Sequence, residues 1–471
     1  MATRRYRSTA LSLLAGFTLI AVACGDDDEV STTDTGTDSA APSAAGGTDT
    51  TAMETGTTTA AGADTTAAGS APATETGETA APTAPPRGDA DLVIWADDTR
   101  QAVVQGIADT FAEENGITVE VQELEFGQIR EQVSLAAPAG DGPDIIIGAH
   151  DWLGELVANG VVEPLDLSGI ADGFQDVAVD AFTYEGQTYG LPYAVENIAL
   201  VRNTDLVPEA PATFEEMIQA ATDYKAEYAN DPTYQGLALQ VGPEGDGYHL
   251  HPFLTAFGGY VFAQNDDGTF DPADLGIDSE GGLAAADFLA EQAAAGLLSA
   301  DVTYDVMIES FGQGRAAFAV TGPWAVGEAD RGFKATGVPY EVTAIPPRED
   351  GTVPQVFVGV QGFMISSFSE QKDLATSFVL DFMSQETTQT ALFEAGGRPP
   401  ALTAAYEAVS SDPDIAGFGA SGEAGIPQPA IPEMSNVYTS FGLAEVNVLR
   451  GAEPAEEFTA AAESIRAEIG G

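Results

Sequence analysis

The chain has 471 residues, with 74 acidic and 16 basic side chains, a formal net charge of −58 and a single cysteine. One cysteine forms no internal disulfide and supplies no cysteine-rich zinc site, and a charge this negative repels phosphate backbones, which excludes a nucleic-acid partner. Apolar residues make up 44% and charged ones 19%, so the composition allows a large core, though not one spread evenly along the chain.

The first segment has the pattern of an export signal. Arg4, Arg5 and Arg7 precede an apolar run from Ala10 to Ala23 that is too short to span a bilayer and ends in small residues. Residues 1–23 are therefore expected to be a signal peptide. Cys24 follows directly. Ala21-Val22-Ala23-Cys24 is similar to the sites cut by lipoprotein signal peptidase, although Ala21 stands where that pattern usually has Leu. The resemblance implies a diacylglycerol on Cys24, held to the membrane by roughly 0.8 kcal/mol per buried CH₂. Residues 24–90 would then be the anchor and a tether. This stretch is mostly Thr, Ala, Gly, Ser, Asp, Glu and Pro, has no aromatic residue, and cannot bury enough surface to order itself. No other apolar run is long enough to cross a membrane.

From Asp91 the chemistry changes. Leu92-Val93-Ile94-Trp95 reads as a buried strand. A helical pattern follows through Val103, Ile107, Ala108 and Phe111, and Gly116 ends it. Ile117–Val121 alternates like a second strand, a helix follows near Gln128 to Ala136, and Asp144–Ile147 is a third strand. The order strand, helix, strand, helix, strand predicts an α/β layer on a mainly parallel sheet. Further strands are predicted at Leu237–Val241, Ala316–Val320, Tyr340–Ile345 and Phe357–Ile365. Helices are predicted at Phe214–Glu227, Gly282–Ala295, Asp373–Met383 and Ala455–Ile469. About 380 residues exceed one core, so two lobes are expected.

Catalytic signatures are absent from the sequence of this folded part: there is no nucleophile elbow, no P-loop, no His-Glu-x-x-His and no cysteine. His249-Leu250-His251 lacks a third metal ligand, so neither metal nor cofactor is expected. What stands out are polar and aromatic residues at strand ends, where open α/β sheets bind ligands. Trp95, Asp97, Asp98 and Arg100 follow the first strand; His150, Asp151 and Trp152 follow the third; Gly322-Pro323-Trp324 follows the strand ending at Val320. Carboxylates accept bonds from hydroxyls, arginine donates to carboxylates, and a flat ring covers the apolar face of a pyranose, so this lining suits a sugar.

These residues fall among landmarks that run collinear with a known family. They include Gly140-Asp141-Gly142-Pro143-Asp144, Ala149-His150-Asp151, Pro192-Tyr193-Ala194-Val195-Glu196, Asn203-Thr204-Asp205-Leu206, Gly258-Gly259-Tyr260, Gly322-Pro323-Trp324-Ala325, Phe357-Val358-Gly359-Val360 and Ile431-Pro432-Glu433-Met434-Ser435. From Asp91 to the C-terminus the chain resembles the maltose/maltodextrin-binding proteins, the extracellular sugar receptors of ABC importers. The resemblance implies a two-lobed periplasmic-binding-protein-like fold with the ligand cleft between hinged lobes. One lobe would be about 91–195 plus 363–408, the other about 196–362 plus 409–471. It implies sugar contacts from Asp98, Arg100, Asp151, Trp152, Glu196, Asp246, Tyr248, Tyr304, Trp324 and Tyr438. It also implies a lipid-anchored monomer on the extracellular face of the cell membrane. That monomer would deliver an α-glucan oligosaccharide to the permease subunits and ATPase of a transporter, without catalysis.

Several departures point to a rebuilt cleft. Trp152 stands where a maltose binder has Arg, Val326 and Tyr438 where it has Trp, Asp246 where it has Glu, and His251 where it has Trp. Trehalose, a cyclodextrin or a polyol are alternative ligands, and a surface glycoside hydrolase using Asp151 and Glu196 is the competing class.

Overall fold

The computed structural model describes residues 85–265 and 268–470. The signal segment, Cys24 and most of the tether lie outside the described residues. Ordered contacts already begin within the stretch expected to be tether. Arg87 donates through Nη1 to the Gly142 carbonyl at 2.8 Å and pairs through Nη2 with Asp144 at 2.7 Å. Asp144 is wholly buried and also accepts the Val93 N–H and the Ser369 hydroxyl. Three groups thus satisfy a carboxylate that burial would otherwise penalise by several kcal/mol.

The strands Leu92–Ala96, Val119–Glu123 and Ile145–Ala149 pair in parallel, joined by the helices Asp98–Asn115 and Phe126–Ala139. Gly116 ends the first helix in the left-handed region at φ 67°, the conformation that Gly adopts without a Cβ penalty. All five residues of the first strand are buried. Trp95 is among them, with its indole N–H on Gln122 Oε1 at 2.9 Å. This ring, expected just beyond the strand, therefore belongs to the core.

The sheet is mixed rather than mainly parallel. The long strand Phe357–Ile365 runs antiparallel to Ile145–Ala149 and to Gly190–Asn197, and the short strand Ile426–Pro427 pairs with it in parallel. The reason is connectivity. A parallel neighbour needs a crossover on the same sheet, whereas Phe357–Ile365 arrives after the chain has built a second sheet elsewhere. That second sheet has the order Tyr340–Thr343, Ala199–Asn203, Ala316–Thr321, Gln235–Leu239.

The apolar residues sort accordingly. One core gathers side chains from 92–194 and 360–401, a second from 198–357 and 434–465, and a third, smaller one lies on the other face of the second sheet. Phe357 packs into the second core and Val360 into the first, so this strand passes from one lobe to the other. Each fully buried Leu, Ile or Phe contributes about 1.5–3 kcal/mol, and both lobes hold enough of them to be stable cores. The helix Phe214–Glu227 has the predicted ends, and the first is set by the Thr213 hydroxyl accepting the Glu216 N–H. No helix among the described residues is long and apolar enough to cross a membrane.

Candidate functional site

Ends of the first sheet's strands meet the turn after Ala316–Thr321 and the helices Gly247–Ala256 and Met434–Leu449 of the second lobe. Two glycines shape the two faces. A Cβ on Gly148 would lie 2.1 Å from the Trp152 ring, and one on Gly322 would lie 2.1 Å from the Trp324 ring. Each indole therefore folds back over the backbone of its own strand end. The outcomes differ. Trp152 is 4% exposed, tilted against Phe126 at 4.7 Å, and belongs to the first core. Trp324 is half-buried between the lobes, with Tyr248 6.3 Å away.

On the first lobe it is Asp97, not Asp98, that turns inward. Asp97 is buried and ion-paired with buried Arg100, which also donates to the Tyr193 hydroxyl. Burial alone would lower the Arg100 pKa, but Asp97 and Tyr193 more than offset it and hold the guanidinium charged. Asp98 begins the helix with its side chain exposed and lies 3.6 Å from Arg331 of the other lobe. Arg331 also pairs with Glu328 and Asp305. Tyr304 donates to Glu328 Oε2 at 2.8 Å, under the same guanidinium; burial and Glu328 raise its phenol well above the usual range.

Asp151 is buried and accepts the Tyr438 hydroxyl across the lobes. Gln428 donates to that same hydroxyl at 2.8 Å, and Arg130 lies 4.5 Å over the Tyr438 ring. His150 pins this corner: its Nδ1 accepts the Val360 N–H at 3.1 Å and its Nε2 donates to the Gln428 carbonyl at 3.0 Å. Burial keeps the His150 imidazole below its ordinary pKa, so it serves as a neutral brace.

Glu196 is the second buried acid of the cleft. It pairs with Arg398 at 2.9 Å and accepts from Gln361 Nε2 at 2.8 Å. Arg398 reaches Thr99 Oγ1 at 3.1 Å, and its guanidinium lies 5.6 Å over the Trp324 ring. Backbone contact makes this possible. Gly397 has φ 69°, and a Cβ on Gly327 would lie 2.6 Å from the Gly397 Cα, so only glycines let this turn press against the end of the Trp324 helix. Arg100, Arg130, Arg331 and Arg398 place four of the chain's 16 basic residues here, a concentration of donors opposite carboxylates.

Asp151, Glu196, Tyr248, Tyr304, Trp324 and Tyr438 are thus brought together as the sequence suggests. Trp152 and Arg100 support the wall from behind, Asp98 sits at its rim, and Asp246 caps the helix Gly247–Ala256 by accepting the His249 N–H. The sequence reading passed over Arg398, Arg331, Glu328, Gln361 and Arg130. Gly396-Gly397-Arg398-Pro399-Pro400 carries a usable signal, since a rare arginine is held there between glycines and prolines.

His251 lies deeper, stacked on Phe357 at 3.5 Å, and burial pushes its imidazole down to about 3. The unfolded value is about 6.5, so the unfolded chain takes up this proton first. The contribution to stability is whole above about pH 6.5 and is lost as pH falls from there towards 3. Between about pH 7.5 and about pH 5, denaturant melts of the unsubstituted protein should lose about 2 kcal/mol more than those of His251→Phe. Equal losses would remove His251 as the cause.

Residues 106–417 match the family described as bacterial extracellular solute-binding proteins. The galactooligosaccharide-binding protein of Bacillus subtilis is 28% identical over 395 residues, which is 80% of this chain and 89% of that protein. The maltooligosaccharide ABC transporter solute-binding lipoprotein of Streptococcus pneumoniae is 24% identical over 67% of this chain and 73% of that one. Among solved structures, the maltotriose-binding protein of Thermus thermophilus bound with maltotriose aligns with a TM-score of 0.72 at 30% identity, covering 80% of this chain and all of that one.

Proposed function

We propose that this chain, which belongs to the bacterial extracellular solute-binding protein family, is the receptor of an ABC importer for a maltodextrin or related α-glucoside. The observation that carries the reading is the cleft. Trp324 and Tyr248 offer ring faces, while Asp151, Glu196 and the arginines that frame them offer hydroxyl partners from both lobes. Asp97, Glu328 and Arg398 join Asp151, Glu196, Tyr248, Tyr304, Trp324 and Tyr438 as the proposed contacts. The lobes are taken as about 91–195 plus 363–408 and 196–362 plus 409–471, closing on the sugar by a hinge motion. The closed form would be what the permease and ATPase respond to. The protein would bind its ligand unchanged, act as a monomer, and be held at the outer face of the membrane by lipid on Cys24.

The B. subtilis relative favours a second reading, a galactooligosaccharide ligand. Competition separates the two. Maltotriose should displace a labelled maltodextrin from the protein at micromolar concentration, and a galactooligosaccharide should not. The reverse ranking would transfer the assignment to galactosides.

A further inference from the structure

His249 stands behind Trp324 rather than in the ligand's path. It is 4% exposed, and its imidazole meets the Trp324 ring edge to face, with centroids 6.0 Å apart and planes at 85°. Pairs of this geometry fix the orientation of both rings. The imidazole is itself held from the opposite side. Its Nδ1 lies 2.9 Å from Asp246 Oδ2, while Asp246 Oδ1 accepts the His249 N–H at 3.0 Å.

Asp246 is fixed in turn. Gln240 Nε2 donates to Oδ2 at 2.6 Å, and the Asp246 N–H donates to Glu445 Oε2 at 3.2 Å. Glu445 is wholly buried. Burial, and then the charge of Asp246, hold its carboxyl well above the usual range, so Asp246 is the charged member of the pair facing His249. Gly245, at φ 85°, lets the loop before Asp246 press against the helix Met434–Leu449: a Cβ there would lie 2.1 Å from the Gly442 carbonyl oxygen. The acceptor atoms of Asp246 are occupied within the protein, which suits support rather than ligand contact.

We propose that His249 is a positioning residue for Trp324, with Asp246, Gln240 and Glu445 forming the frame that holds the imidazole. This rests on the reading that Trp324 stacks on the sugar. The test is a double-mutant cycle on the full folded chain, read as the Kd for maltotriose. His249→Leu should weaken binding on the order of tenfold when Trp324 is present, and by less than about twofold in the Trp324→Ala background, because residues that act through one another are not additive. Asp246→Asn, which can still cap the helix, should show the same dependence on Trp324 with a smaller loss. An equal loss in both backgrounds would overturn the proposal. A ligand-free measurement keeps it separate from the sugar reading. His249→Leu should diminish the tryptophan band of the near-ultraviolet circular dichroism, and an unchanged band would also overturn it. Absence of maltotriose binding by the unsubstituted protein would instead count against the sugar, leaving the circular dichroism to decide the role of His249.

Discussion

Trp324→Ala is expected to weaken oligosaccharide binding at least tenfold while leaving the fold intact. The ring lies on Gly322, is braced by His249, and faces the guanidinium of Arg398. It is the only indole of the second lobe, because Trp95 and Trp152 are both in the first core. Alanine removes the plate on which a pyranose can lie. Central aromatic anchors of this kind typically contribute about 1.5 kcal/mol or more, and about 1.4 kcal/mol corresponds to a tenfold change in Kd. The ring is only partly buried, so thermal stability should change little. Calorimetric titration measures the effect directly, and an unchanged Kd would take Trp324 out of the site.

Arg398→Met should have a larger and different effect. Glu196 and Arg398 are 4% and 6% exposed. Removing the guanidinium leaves a carboxylate in the cleft floor with only Gln361 as partner. Breaking a buried pair by deleting one partner costs about 3–5 kcal/mol, so the melting temperature should drop by several degrees and binding should fall further than for Trp324→Ala. The double variant Arg398→Met with Glu196→Gln should recover much of the stability, because no uncompensated charge remains, but not the affinity. If the single variant melts like the unsubstituted protein, the pair is not the clamp that joins Thr99, Glu196 and Trp324.

Part of the fold was legible because it depends on local pattern, but the strands Gly190–Asn197 and Ala199–Asn203 and the helices Gly247–Ala256, Glu386–Gly396 and Met434–Leu449 are not among the predicted elements. Leu92–Ala96 is a run of apolar residues, and Phe214–Glu227 has a threonine cap and an apolar stripe. Within the cleft, Asp151 and Trp324 were legible because each stands just past a predicted strand, and Glu196 because it closes a landmark of the family the chain resembles. Other features depended on contacts distant in sequence. Arg398 meets Glu196 only because two glycines let a turn approach the other lobe's backbone. Whether Asp97 or Asp98 faces inward is decided by where the helix begins. Trp152 offered a stacking face on paper, yet the absence of a side chain at Gly148 draws it into the first core. The direction of Phe357–Ile365 could not follow from its own residues, because it is set by the chain's return from the second sheet.

The site residues and their proposed roles all require that the cleft between the lobes take a short α-glucan. Isothermal titration of the folded chain with maltotriose, maltose, trehalose, a cyclodextrin and a galactooligosaccharide tests it most directly. Maltotriose should bind at one site with micromolar or tighter affinity, weakened by Trp324→Ala. No binding heat from any sugar of the panel, at concentrations well above micromolar, would contradict it.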